Sequence, residues 1–219
     1  MAKKKKRRTT KKWYSTKKRQ QTEWLVVLLG VLFVLGVGLV LYIQYTGAQT
    51  QERLANEAKQ EELAKVKKKK EFINQLAPYA QELQQKYHVL SSITLAQAIL
   101  ESDWGKSSLA ADYHNYFGIK GDDPDNTKEM TTKEYLNGQW VTTTARFRVY
   151  RDYRESMLDH VLLFAHGTSW DHNHYQHVVA ATNYTQAAQA LKQDGYATDP
   201  NYPEKLIELV KTYRLDQFD

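Results

Sequence analysis

The chain has 219 residues, 26% of them charged and 42% hydrophobic, with a formal net charge of +6 and no cysteine. The charge is uneven: residues 1–23 hold eleven Lys and Arg against one Glu (+10), residues 49–70 seven basic against four acidic (+3), and residues 71–219 thirteen basic against twenty acidic (−7). An acidic C-terminal part argues against nucleic acid as a partner, which wants a basic patch on the folded domain. The lack of cysteine excludes a disulfide framework and suits an exported protein without requiring export.

Residues 1–23 read as a basic cytoplasmic tail. From Trp24 to Ile43 the sequence WLVVLLGVLFVLGVGLVLYI has no charge, and its 20 residues rise about 30 Å as a helix, the thickness of a bilayer core. We read residues 24–45 as a single-pass transmembrane signal-anchor helix. Trp24, Tyr42 and Tyr45 lie where interfacial aromatics anchor a span, and the basic flank keeps the N-terminus inside and sends the rest to the cell-wall side. Thr46-Gly47-Ala48 weakly resembles a small-residue cleavage site, but the apolar run exceeds the usual signal-peptide core. Residues 46–70, rich in Glu, Lys, Gln and Ala, predict a helical stalk with little to bury. The Lys67–Lys70 run reads either as a contact for anionic wall polymers or as solvated stalk.

Residues 71–219 are long enough for one hydrophobic core. Phe72, Ile73, Leu76, Tyr79, Ala80 and Leu83 recur at helical spacing and predict an amphipathic helix over 71–87. Ser91 or Ser92 is the expected cap of the next helix, which runs to about Ser102 with Ile93, Ala96, Ile99 and Leu100 on its core face. A short helix is expected over 106–112 and a turn-rich loop over 118–126. The period then changes. Met130–Leu136 and Gln139–Tyr150 flank Asn137-Gly138, the strongest short hairpin signal, and Ala145, Phe147 and Val149 are expected on one face of the second strand. Helical patterns return over 153–166, 175–181, 184–193 and 203–213. The expected fold class is α+β, mainly α: a lysozyme-like helical domain with a small β-hairpin lobe and a groove between lobes.

Cleaving a glycosidic bond needs an acid to protonate the leaving oxygen and a group opposite to activate water or meet positive charge on the sugar. Glu101, at the C-terminal end of a core-packed helix, is the natural acid: partial desolvation and the helix dipole both favour its protonated form. Gln97 lies one turn earlier on the same side and is a candidate sugar contact. Glu134, on the first hairpin strand, is the second carboxylate. Trp104, Asn115, Tyr116, Phe117 and Trp140 are candidate sugar contacts, and Tyr196, in the irregular stretch GYATDPNYPEK, is placed to reach the groove. No cofactor and no metal are expected, because the spacing of His172, His174 and His177 fits no common zinc pattern. Arg148 and Arg154 are expected to pair with Asp152, Glu155 or Asp159.

Five motifs stand in order: AILESDWGKS (98–107), NYFGIKG (115–121), Glu134-Tyr135 with Gly138 beyond, FRVY (147–150), and GYATDP (195–200) followed by Tyr202. Together they resemble the bacterial glucosaminidase domain of glycoside hydrolase family 73, over about residues 75 to 216. The resemblance implies hydrolysis of β-1,4 bonds in the peptidoglycan glycan strand, usually the N-acetylglucosaminyl linkage. It makes Glu101 the general acid, Glu134 the β-lobe glutamate, and Tyr196 the tyrosine near the substrate's N-acetyl group. Asn115, Phe117 and Tyr202 fall at groove positions. Asp103 stands where many relatives have Gly. With no wall-binding repeats following the domain, action close to the membrane is expected. An N-acetylmuramidase would use the same groove, a lytic transglycosylase would leave an anhydro end, and a non-catalytic wall scaffold would have no use for this residue set.

Overall fold

The computed structural model describes the backbone of residues 10–136 and 139–219; side chains 10–18, 20, 133–136 and 140 lie outside the described residues. The chain divides into two compact units, residues 1–64 and residues 65–219.

In the first unit the chain is helical from Thr10 onward, within α1 (Thr10–Tyr87). Every side chain from Trp24 to Ile43 is exposed, so the protein itself offers this apolar stretch no cover. Among the described residues it belongs to the one helix long and apolar enough to cross a membrane.

The second unit begins on the same helix and is mainly helical, with a lysozyme-like arrangement. After α1 come α2 (Ser91–Ser102), α3 (Ser108–Tyr113), β1 (Thr127–Leu136), β2 (Gln139–Arg148), α4 (Tyr153–His166), α5 (Gln176–Val179), α6 (Tyr184–Gln193) and α7 (Tyr202–Tyr213). The apolar stripe at the end of α1 does what its spacing predicts: Ile73, Leu76, Ala77, Ala80 and Leu83 are buried. Helix α2 lies at the centre, with buried residues on every face, including Ile93, Leu95, Ala96, Ala98 and Ile99. Around it pack Met157, Val161 and Phe164 of α4, Ala187, Ala188 and Leu191 of α6, and Leu206 and Val210 of α7.

The start of α2 differs from expectation. Its N-cap residue is Leu90, with no side-chain cap, and Ser91 and Ser92 are the first helical residues. Two of the orphan N–H groups of the first turn are met by side chains from outside the helix instead. Gln84 Oε1 accepts from Ser91 N at 2.5 Å, and the Asp219 carboxylate accepts from Ser92 N and Ser92 Oγ, both at 2.7 Å.

β1 and β2 pair antiparallel from Thr127 opposite Arg148 to Leu136 opposite Gln139; the expected turn, Asn137-Gly138, lies outside the described residues. The hairpin begins three residues earlier than its pattern suggested and ends two earlier. Beyond Arg148 the chain leaves the ladder, with Val149 N donating to the Asn126 carbonyl and Tyr150 N to the Tyr113 carbonyl. The expected alternation therefore fails after Phe147: Tyr150 is buried and Val149 exposed. The Tyr150 hydroxyl donates to Asp159, which also takes Arg148 Nη1 at 2.7 Å. Arg154 pairs with Glu82 at 3.6 Å, a partner from α1 that local spacing did not suggest.

Candidate active site

Glu101 is the second-last residue of α2, and the way the helix stops fixes its surroundings. Ser102 Oγ donates back to the Ala98 carbonyl and accepts from Gly105 N at 2.7 Å. Asp103, Trp104 and Gly105 then take consecutive left-handed conformations, with φ of 47°, 61° and 74°. Asp tolerates this region and a bulky residue does not, so Trp104 is strained and must be held. It is: its ring meets Tyr213 at 4.7 Å and Phe72 at 5.9 Å, with Lys69 Nζ 4.9 Å from the ring centre. Lys69 Nζ also donates to the Tyr213 hydroxyl at 2.9 Å. That lysine of the basic run is thus half-buried against the domain. Gly105 is required here, because a Cβ would come within 2.9 Å of the Phe72 ring.

The Glu101 carboxyl keeps a solvent-open side, since the residue is exposed by area. Dense protein on its other sides still desolvates it, and this burial raises its pKa. Two opposing effects are smaller: a hydrogen bond donated by the Tyr202 hydroxyl to Oε1 at 2.7 Å, and the positive charge of Lys205. Lys205 is itself held by Asp199 at 2.6 Å, and that bond, with one from Asn201 N, pulls the Asp199 carboxyl below its usual range. Burial, and then the charge of Glu101, lift the hydroxyl pKa of both Tyr202 and Tyr196 well above normal. Both tyrosines are phenols at any physiological pH, able to donate.

The expected site residues fall into three groups. Glu101, Tyr196 and Tyr202 come together, Tyr196 and Tyr202 with ring centres 5.8 Å apart. Trp104 and Tyr116 flank Phe72, Tyr116 stacked on it at 6.0 Å, and both keep part of their surface open. Gln97, Asn115 and Phe117 are interior, which corrects their reading as sugar contacts. Asn115 Nδ2 donates to the Ile119 and Arg148 carbonyls, both at 2.9 Å, and its Oδ1 accepts from Phe117 N and Ile119 N. It therefore pins the 115–121 loop to the base of the hairpin. Phe117 stacks at 3.9 Å on His160. Gln97, with no accessible surface, bonds Tyr202 and His160. Glu134 lies in β1 opposite Val141 and Trp140 in β2 opposite Tyr135; their side chains are outside the described residues.

Sequence reasoning missed His160, which is fully buried and pushed down to about 3 by burial. Its position on the inner face of α4, four residues before Phe164, was the one available signal. Of the three closely spaced histidines, His177, in α5, meets Asp194 Oδ1 through Nδ1 at 2.7 Å, and His172 Nδ1 meets the His166 carbonyl at 3.3 Å. Among the described residues no group of three or more His, Cys, Asp or Glu could hold a metal ion.

Residues 77–215 match the family described as mannosyl-glycoprotein endo-beta-N-acetylglucosaminidase. The chain belongs to the glucosaminidase family. Members similar to it include the exo-glucosaminidase LytG of Bacillus subtilis (strain 168), 42% identical over 192 residues, covering 88% of this chain and 66% of that protein. A probable N-acetylmuramidase of Lactococcus lactis subsp. lactis (strain IL1403) is 38% identical over 150 residues, 68% of this chain and 34% of that protein. Among solved structures, the catalytic domain of the autolysin Auto from Listeria monocytogenes superposes with a TM-score of 0.62 at 37% identity, over 69% of this chain and 88% of that one. The chain thus spans about a third to two thirds of the length of these two curated relatives.

Proposed function

We propose that this chain hydrolyses β-1,4 glycosidic bonds of the peptidoglycan glycan strand, at N-acetylglucosaminyl linkages within the strand, with Glu101 as general acid. One observation carries the reading: a carboxyl open to solvent on one side and desolvated on the other, at the end of the central helix, with a tyrosine donor on Oε1. Burial outweighs both Tyr202 and Lys205, so the group keeps its proton to higher pH than an ordinary glutamate, as a general acid requires. Its open face suits a strand passing across the site.

Glu101 gives its proton to the departing oxygen as the bond from that oxygen to the sugar's C1 breaks. Positive charge then grows on the sugar. On one route Glu134 takes a proton from the water that attacks C1, and the anomeric configuration inverts. On the other the substrate's acetamido oxygen, oriented by Tyr196, attacks C1 first; water opens that intermediate, returning a proton to Glu101, and configuration is retained. The anomer present in fresh product, read by proton NMR, separates the two. Trp104, Tyr116 and Trp140 are the proposed sugar contacts. The apolar helix over residues 24–45 is proposed as the membrane anchor, with residues 1–23 inside and the domain on the wall side.

A second reading, N-acetylmuramidase, is favoured by the similarity to the L. lactis protein of that name. Mass spectrometry of muropeptides, with and without borohydride reduction, tests both. Reducing-end N-acetylglucosamine supports the proposal, reducing-end N-acetylmuramic acid supports the second reading, and anhydro ends refute hydrolysis. Release of single units from strand ends, as the name of the B. subtilis relative suggests for that protein, would replace internal cleavage.

A further inference from the structure

Behind Glu101 stand three buried polar side chains whose hydrogen bonds have one consistent direction. Tyr202 Oη lies 2.7 Å from Glu101 Oε1, Gln97 Nε2 lies 3.1 Å from Tyr202 Oη, and His160 Nε2 lies 3.0 Å from Gln97 Oε1. Tyr202 has one hydroxyl proton. An ionised carboxylate only accepts, so that proton lies toward Glu101 and the tyrosine oxygen must accept from Gln97. The amide therefore turns its NH2 to Tyr202 and its carbonyl to His160, and His160 carries its ring proton on Nε2. The remaining ring nitrogen, Nδ1, is buried with no partner among the described residues. Reversing the amide would put the ring proton on Nδ1, leaving an orphaned buried N–H, which is rarer than an under-satisfied acceptor. The imidazole is held neutral by burial, so no second proton is available to confuse the direction.

We propose that His160, Gln97 and Tyr202 form a one-way relay that keeps Glu101 Oε1 an acceptor, so that the acid's proton resides on Oε2, toward the substrate. Without it, a protonated Glu101 could turn its proton inward onto the tyrosine oxygen, where it cannot reach a glycosidic bond. Gln97 and His160 have no accessible surface; they are positioning residues that act through Tyr202. The inference rests on Glu101 being the general acid. It goes further in assigning a direction to the network and a carboxyl oxygen to the proton.

The test uses the full chain in detergent micelles, with turnover of purified peptidoglycan read across pH. The groups facing Glu101 are Tyr202 and Lys205 from α7 and Tyr196 from the preceding loop, and Gln97→Met replaces none of them while removing the bond that Gln97 gives Tyr202. This variant should lower kcat roughly three- to tenfold, the worth of one net hydrogen bond, with KM changed by less than about twofold. The alkaline limb should move to higher pH, because the Tyr202 bond that favours ionised Glu101 weakens. An unmoved limb with unchanged kcat, or a loss confined to KM, overturns the relay.

A measurement on the unmutated chain needs no variant to fold: nitrogen-15 NMR of labelled histidines from about pH 4 to 8. His160 should show Nε2–H with bare Nδ1 and no titration; an Nδ1–H tautomer overturns the relay. This signal is independent of turnover. Absence of any cleavage by the wild-type chain would sink the functional reading, and the tautomer would still judge the network.

Discussion

Replacing Glu101 by Gln separates the chemistry of this residue from its packing. Gln has the same shape and keeps an oxygen to accept from the Tyr202 hydroxyl, now 2.7 Å from Oε1, but it has no proton of the required acidity. Loss of a positioned general acid lowers rates by about a hundred- to ten-thousandfold, or about 3 to 5.5 kcal/mol of transition-state stabilisation. Stability should move the other way. Burial raises the folded-state pKa of Glu101, so the folded chain holds this proton more tightly than the unfolded chain does. Below the unfolded value of about 4.3 the group is protonated in both states and Gln gives no advantage. As pH rises through the folded pKa the ionised carboxylate penalises the fold, and the neutral amide escapes that penalty. The melting temperature of Glu101→Gln relative to wild type should therefore climb from acid to mildly alkaline pH, while digestion of peptidoglycan falls to background. Undiminished digestion refutes the acid. A variant that becomes relatively less stable as pH rises refutes the claim that burial wins over Tyr202 and Lys205.

Three further substitutions test how the site is held. Gly167 ends α4 at φ 70° and ψ −155°, a region closed to side chains, and a Cβ there would overlap the Asp171 and His172 carbonyl groups. Gly167→Ala should cost about 3 kcal/mol and lower the melting temperature by roughly 6–12 °C for a domain of this size. Asp219→Ala removes both bonds to Ser92 at the start of α2 and should cost about 1–2 kcal/mol, read by denaturant titration as a fall in midpoint at constant slope. Tyr150→Phe deletes the hydroxyl bonded to Asp159 but leaves the Arg148 pair. It should cost about 1 kcal/mol and speed amide exchange at the base of the hairpin, with cleavage retained.

The helices and the hairpin were legible because their signals are local. Apolar spacing gave the end of α1 and α2, α4, α6 and α7 to within a few residues, though not the continuity of α1 from Thr10, and alternation around Asn137-Gly138 gave the strand pair with the Leu136–Gln139 junction that the register shows. What failed was non-local. Ser91 and Ser92 look like caps, yet Ser91 N is met by Gln84 and Ser92 N by Asp219, 127 residues away. Val149 continues an alternating pattern, but the chain turns inward to satisfy the Asn126 and Tyr113 carbonyls.

The same limit explains the site. Glu101 was legible because a carboxyl at the end of an apolar helix is anomalous in its own neighbourhood. Asn115 and Gln97 were misplaced because polar side chains beside a catalytic residue suggest sugar contact, and only tertiary structure shows that both are spent on protein partners. Asn115 accepts from two backbone N–H groups and donates to two carbonyls, leaving little capacity for a ligand. Gln97 likewise uses its oxygen on His160 and its nitrogen on Tyr202.

These interior bonds bear on the acid itself. A solvent-open carboxyl on a flexible arm would relax toward water and lose the desolvation that keeps it protonated. Here the helix carrying it is tied at its start by Asp219 and at its end by the Trp104 clamp, and its oxygen by Tyr202. The raised pKa of Glu101 is thus a property of α2 and its anchors as much as of the residue. Loosening either end should move the alkaline limb of catalysis to lower pH before it unfolds the domain.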